Sequence, residues 1–242
     1  MTLPPAPATE TAIAPVTVTL TRIRLNRNSP DARRDLTHPH NLHKTVMLLA
    51  PESLGEHPRQ KAGLLFRLEQ ATEDTPPTLL IQSQLPPDFS HLPRAYGTTQ
   101  TRDLTPMFRA LATGRSVRYR ITANASTRRK VKVLDGDPFF DPEARHKDVP
   151  LQGDDALAWW QRKAVHAGLS LTSTDITPVG PFRRPVRKRQ NAHSEPDVFR
   201  HALTRFDGIA TITDPDQLRH ALLTGIGRGK SYGAGLLSLA PA

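Results

Sequence analysis

From residue 116 to the C-terminus the hydrophobic period switches between two and about 3.6 residues in a single order, and that order limits the fold more than any other feature. SVRYRITANA (116–125) alternates apolar and polar residues as a strand does. DDALAWWQRKAVHAG (154–168) has helical spacing and stops at Gly168, with Leu157, Trp160 and Val165 as candidate core residues. LSLTSTDITPV (169–179) and DVFRHALTRFDGIATI (197–212) return to the strand pattern, the second with an expected break near Asp207 and Gly208. DPDQLRHALLTG (214–225) is helical, with Asp214 or Asp216 as its cap, and GLLSLA (235–240) closes the chain as a strand. The order β-α-β-β-α-β is that of the ferredoxin-like fold, an α+β arrangement.

The first half opens the same way. VTVTLTRIRL (16–25) is a strand, 26–38 a polar, basic connection, and PHNLHKTVMLLA (39–50) a helix with Pro39 in its first turn and Leu42, Val46 and Leu49 on its buried face. GLLFRLE (63–69) and PTLLIQSQ (77–84) are strands, and 86–97 is irregular with room for a short helix. The expectation is two tandem ferredoxin-like (RRM-like) domains, 16–104 and 105–242, behind a Pro-, Ala- and Thr-rich disordered extension over 1–15.

Near the C-terminus, GIGRGKSYGAG (225–235) places five glycines around one arginine and one lysine. Bare backbone can form a nest of N–H groups for an anion. A nucleotide-binding loop is excluded by two features. Thr224 stands where the first glycine of a G-x-x-x-x-G-K-[ST] motif belongs, and the stretch runs from a helix into a strand, the reverse of what that motif and the dinucleotide fingerprint need. What remains is either a cradle for another phosphate, centred on Gly227, Arg228, Gly229, Lys230 and Ser231, or a glycine-rich helix cap and hairpin.

Charge favours the phosphate. The net charge of +10 calls for a polyanion, nucleic acid or an acidic membrane surface. No apolar run reaches the ~20 residues of a membrane span. The absence of cysteine removes disulfides, thiolate zinc sites and cysteine nucleophiles and is compatible with a cytoplasmic location. Aromatics are only 5%, too few for a reader that stacks successive bases, so structured RNA or a duplex is the better partner. The basic residues gather at Arg22, Arg24, Arg27, Arg33 and Arg34, at Arg128, Arg129, Lys130 and Lys132, and in PFRRPVRKRQ (181–190), where Arg183, Arg184, Arg187, Lys188 and Arg189 have no acid among them. This last run has the composition of an extended arm or hairpin tip that neutralises phosphates.

The acids are scattered, and no HExxH or G-x-S-x-G motif and no carboxylate cluster for a two-metal centre occurs. HPHNLHKT (38–45) is the one stretch with acid–base potential. His40 and His43 lie three apart and share a helix face. Imidazole exchanges protons near neutrality, and RNA carries its own nucleophile in the 2′-hydroxyl. A base, an acid and cations for the phosphorane then suffice, with no metal and no cofactor. Zinc binding by His38, His40 and His43 lacks a second ligand cluster.

Several blocks in order resemble the CasE family: LTRIRLN, SPDARRDLTHPHNLHKTVM, LLFRLE, LLIQSQLPPDFSHL, RYRITANASTRRK and FDGIATITDPDQLRHALLTGIGRGKSYGAGLLSLAP, spanning residues 16–241. The RRDL-to-HK block and the glycine-rich ending are the most specific. The resemblance implies tandem ferredoxin-like domains of the RAMP type. It implies metal-independent cleavage of precursor CRISPR RNA at the 3′ base of the repeat hairpin, leaving a 5′-hydroxyl and a 2′,3′-cyclic phosphate. The protein would stay on the mature guide RNA as a subunit of a type I-E Cascade, beside its backbone subunit. His43 becomes the expected catalytic residue, with Lys44 and the basic runs on RNA. His40 stands where many relatives have a tyrosine and is its expected stand-in. Leu48 stands where some carry a lysine. The rivals are an RNA-binding subunit that does not cut and a basic DNA-binding protein.

Overall fold

The computed structural model describes residues 17–130, 146–183 and 200–242. The expected extension over 1–15 lies outside them. In the first half, β1 (Thr19–Leu25) leads through α1 (Pro30–Thr37), α2 (Pro39–Met47) and α3 (Pro58–Lys61) to β2 (Leu65–Glu69), β3 (Thr78–Ser83) and β4 (Gly97–Asp103). These four strands form one antiparallel sheet in the order β2-β3-β1-β4. After α4 (Thr105–Arg109) come β5 (Ser116–Ala123), β6 (Ser126–Lys130), β7 (His146–Pro150), α5 (Gly153–His166), β8 (Leu169–Arg183), β9 (Arg200–Ile212), α6 (Pro215–Thr224) and β10 (Leu237–Pro241). The second sheet is β10-β5-β9-β8, again antiparallel. Counted within each sheet, the strands read fourth, first, third, second. That is the order β-α-β-β-α-β connections produce, so both halves are ferredoxin-like. The second crossover of the first half, residues 84–96, is irregular and holds no helix.

Several elements depart from the expectations. Residues 30–37 are helical rather than a basic connection. Ser29 caps them by accepting from the Ala32 N–H, and Pro30 and Asp31 fill the first turn. All seven residues of β4 are exposed, so it carries no apolar alternation, and pairing with β1 over its full length makes it a strand. β6 and β7 form a separate two-stranded ribbon. The expected break in β9 is also absent. Gly208 stays within the strand because a Cβ there would sit 2.0 Å from the Ser173 carbonyl oxygen and 2.8 Å from the Tyr119 hydroxyl.

Each sheet buries one face against its helices. Leu42, Val46 and Leu49 of α2 join Ile23, Phe66, Leu79 and Ile81, as their spacing predicts. In the second half Trp160 is fully buried, with its ring 5.6 Å from both Tyr119 and Phe206. Large side chains buried this way stabilise the fold by about 1.5–3 kcal/mol each. Leu157 is half-buried, and Val165 is 66% exposed, contrary to its expected place. The inward stripe of α5 is Ala156, Trp160 and Ala164, which leaves Val165 one residue out of phase.

Polar side chains lock the halves together. Arg67 of β2, only 2% exposed, donates from Nη1 to the carbonyls of Leu236 (2.9 Å) and Arg120 (3.2 Å). Gln82 and Gln84 donate to the carbonyls of Leu222 and Leu223. Those carbonyls belong to the last turn of α6 and have no partner within their own helix. The end of α6, and with it the glycine-rich loop, is therefore seated on the first sheet.

Candidate active site

α2 is oriented from beneath by a buried acid. Asp35 of α1 is 1% exposed and accepts from the hydroxyls of Thr45 and Tyr96 and from Arg34 Nε. Burial and the neighbouring Asp35 push the Tyr96 phenol well up, so it remains a donor. Thr45 follows Lys44 and lies two residues from His43, so this network fixes the helix that presents them.

With Leu42 and Val46 turned inward, His43 sits half-buried at the helix edge. Its ring stacks on Phe66 of β2 at 6.5 Å. Nδ1 is buried without a hydrogen-bond partner, which leaves Nε2 as the nitrogen open to a ligand. Burial lowers the His43 pKa below its ordinary value, and the charges of Arg59 and His40 lower it further. His43 is therefore neutral at pH 7, a proton acceptor. His40 is exposed one turn earlier, Lys44 is exposed beside it, and Leu48 is exposed without charge. Among the described residues no three His, Asp or Glu side chains gather as metal ligands, and no helix is long and apolar enough to cross a membrane.

The fold brings the glycine-rich loop to this helix. The 3-10 turn Lys230–Tyr232 packs against α2. Gly233 abuts the Phe66 ring that supports His43, with a Cβ position 3.2 Å from it. Tyr232 and Gly233 line a small pocket with Pro39, Leu42 and Phe66. The loop closes on itself where the Ile226 N–H donates to the Gly235 carbonyl (2.9 Å). Gly235 has φ +89°, and a Cβ there would lie 2.7 Å from the Ile226 oxygen. Close packing onto the protein thus demands the glycines at 233 and 235. Lys230 is half-buried, and its pKa is lowered by burial and then by Arg59.

The other expected contacts are distributed differently. Arg228 is exposed but held by Asp148 of β7, with Nη1 at 2.7 and 2.8 Å from the two carboxylate oxygens. Its backbone bridges Asn124. Arg34 is paired with Asp31 and Asp35, whereas Arg33 is exposed. Gly227, Gly229 and Ser231 belong to the loop. Arg128 is exposed on β6; Arg129 and Lys130 continue that strand, with side chains outside the description. Arg183 ends β8 opposite Arg200. Arg184, Arg187, Lys188 and Arg189 lie outside the described residues, in the stretch joining those paired ends. Sequence reasoning missed Arg59, Phe66 and the Asp35–Thr45–Tyr96 network. Arg59 sits in a polar stretch with no periodic pattern, so its approach to His43 emerges only in three dimensions.

The family model described as "CRISPR associated protein" matches residues 19–241. The CRISPR-associated endoribonuclease Cse3 of Thermus thermophilus is 30% identical over 227 residues, covering 92% of this chain and 99% of that protein. The chain belongs to the CasE family. The Cascade subunit CasE of Escherichia coli is 28% identical over 211 residues, 86% of this chain and 93% of its own. The structure of Thermus thermophilus Cse3 bound to an RNA representing a pre-cleavage complex aligns with a TM-score of 0.72 at 28% identity, covering 93% of this chain and all of that one. In this CasE-family chain the two most specific sequence blocks, RRDL-to-HK and the glycine-rich ending, meet as α2 against the turn Lys230–Tyr232.

Proposed function

We propose that this protein is a CRISPR endoribonuclease. It binds the hairpin of a repeat RNA, cuts precursor RNA at the 3′ base of the stem, and remains on the mature guide within a Cascade assembly in the cytoplasm. The relatives' names support this class and these partners: Cse3 is an endoribonuclease seen with pre-cleavage RNA, and CasE is a Cascade subunit. One observation carries the chemistry. A half-buried imidazole, neutral at pH 7 and open at Nε2, feels the charge of Arg59, and the turn that carries Lys230 packs on its helix.

In this mechanism His43 Nε2 accepts the proton of a 2′-hydroxyl. The 2′-oxygen attacks the adjacent phosphorus and the P–O5′ bond breaks, giving a 2′,3′-cyclic phosphate and a 5′-hydroxyl. His40, exposed on the same helix face, returns a proton to the leaving oxygen. Cations beside the phosphate stabilise the charge that builds on its oxygens. No step requires a metal. Arg33, Lys44, Arg128, Arg129, Lys130 and the 183–189 run bind the hairpin backbone, with Lys230 and the glycine-rich loop on the phosphates next to the cut.

The test is cleavage of a labelled repeat hairpin in excess EDTA by wild type and by His43→Ala. A single cut by the wild type alone, with hairpin affinity kept within about 3-fold in the variant, is the expected result; His43 touches one phosphate among many, and each such contact is a small share of binding. Tight binding without cutting by either protein supports an RNA-binding subunit instead. Cutting by both moves the chemistry away from His43.

A further inference from the structure

The mechanism above leaves open which cation meets the scissile phosphate. α3 is a four-residue helix in the long connection between α2 and β2, and its Arg59 is half-buried. Arg59 Nη1 reaches the carbonyl of Leu64 at 3.5 Å, a bond too long to hold the guanidinium. Among the described residues no carboxylate pairs with Arg59 or with Lys230, whereas Arg34, Arg67, Arg120 and Arg228 all have acidic partners. Leu64 leads directly into β2, where Phe66 stacks on His43 and abuts Gly233, next to the turn that carries Lys230. Arg59 therefore reaches the site from the connection that enters β2, and Lys230 from the other half of the molecule. Two half-buried cations without a carboxylate partner among the described residues, one acting on the His43 ring and the other on a turn packed against α2, form a site for a bound anion.

We propose that Arg59, with Lys230 beside it, binds the scissile phosphate opposite His43 and stabilises the charge of the phosphorane. The inference rests on the ribonuclease assignment and adds a residue to it. Arginine suits the role because its planar fork can bridge two phosphate oxygens and stays charged in a half-buried setting. The electrostatic effect of Arg59 on both His43 and Lys230 agrees with the placement. On this account the free site is strained by like charge, and the substrate phosphate relieves that strain.

The experiment is single-turnover cleavage of the repeat hairpin by wild type, His43→Ala, Arg59→Ala and Arg59→Lys across pH 5–8. A parallel measurement takes affinity for a hairpin carrying 2′-deoxy at the cut. The expected loss for Arg59→Ala is about 100-fold in cleavage rate, the scale of losing one preorganised donor at a developing charge, with affinity changed by less than about 3-fold. Arg59→Lys should restore about a tenth of the rate, since the charge returns without the fork. Removing Arg59 also removes one of the charges that lower the His43 pKa, so the acid limb of the Arg59→Ala profile should move to higher pH. Cleavage by Arg59→Ala within about 3-fold of wild type overturns the inference. So does an equal loss in both Arg59 variants with an unmoved acid limb, which marks a structural role. If wild type itself does not cut, the ribonuclease assignment falls and takes this inference with it. If wild type cuts, His43→Ala does not and Arg59→Ala does, only the Arg59 role is lost.

Discussion

At His43 the ionisation state follows from where the ring sits. Its ordinary pKa is about 6.5; burial lowers it, and Arg59 and His40 add to the effect. The rate at low substrate reports the free protein, so cleavage should rise with pH along an acid limb whose midpoint lies below 6.5. A limb centred at or above 6.5 would show that the titrating base is another group. The same shift has a sign for stability. The folded pKa lies below the unfolded one, so the contribution is complete above about 6.5 and is lost as pH falls through the folded value. His43→Ala should flatten that acid-side loss in denaturant titrations. His43 was legible in the sequence because a histidine pair at helical spacing stands beside a lysine. Arg59 was not, because a lone arginine between His57 and Gln60 has no local mark of its destination. For Arg228, sequence alone offered a free cation, and Asp148, 80 residues away, shows it to be paired.

The elements readable from periodicity are those with one buried face. α5, α6 and the central strands β5 and β9 carry apolar residues at helix or strand spacing because each packs on a core cluster. β4 is an edge strand held by backbone bonds to β1, so nothing in GTTQTRD marks it. α1 escaped notice because its inward residues are Ala32 and the polar Asp35. That aspartate makes α1 a bracket for α2. In Asp35→Ala the Thr45 and Tyr96 hydroxyls lose their acceptor inside the core, at a cost of about 3 kcal/mol. For a chain of this length, that corresponds to a fall of roughly 6–12 °C in Tm. Asp35→Asn keeps one acceptor oxygen and should lose less than half as much. Cleavage by the alanine variant should drop along with stability, because α2 carries His43. Calorimetry paired with a cleavage assay at 25 °C checks both, and an alanine variant that melts like wild type removes the bracket.

For the whole molecule what matters is that the proposed site spans both halves: α2 and α3 come from the first, the turn Lys230–Tyr232 from the second. Its geometry is therefore only as good as the contact between sheets, and Arg67 lies at that contact. In the sequence it is one of the two polar residues of LLFRLE, on the same strand face as Glu69. The second half covers that face, and burial lowers the Arg67 pKa while the nearby Glu69 raises it again. The guanidinium stays charged and donates to a carbonyl on each of β5 and the segment entering β10. Arg67→Ala removes the donor and leaves Glu69 and two carbonyls without it, at an expected cost of about 3 kcal/mol. Arg67→Met retains the packing of the aliphatic stem and should cost less. Arg67 helps to seat the second half, and with it the loop, against the first sheet, so both variants should cut the repeat hairpin more slowly at temperatures where they remain folded. The loss should exceed that in hairpin affinity, because Arg67 is buried and is not one of the cations proposed to hold the stem. If Arg67→Ala melts early but cuts at the wild-type rate below its Tm, Gln82, Gln84 and the apolar contacts alone fix the relation of the halves, and Arg67 contributes stability without setting the site.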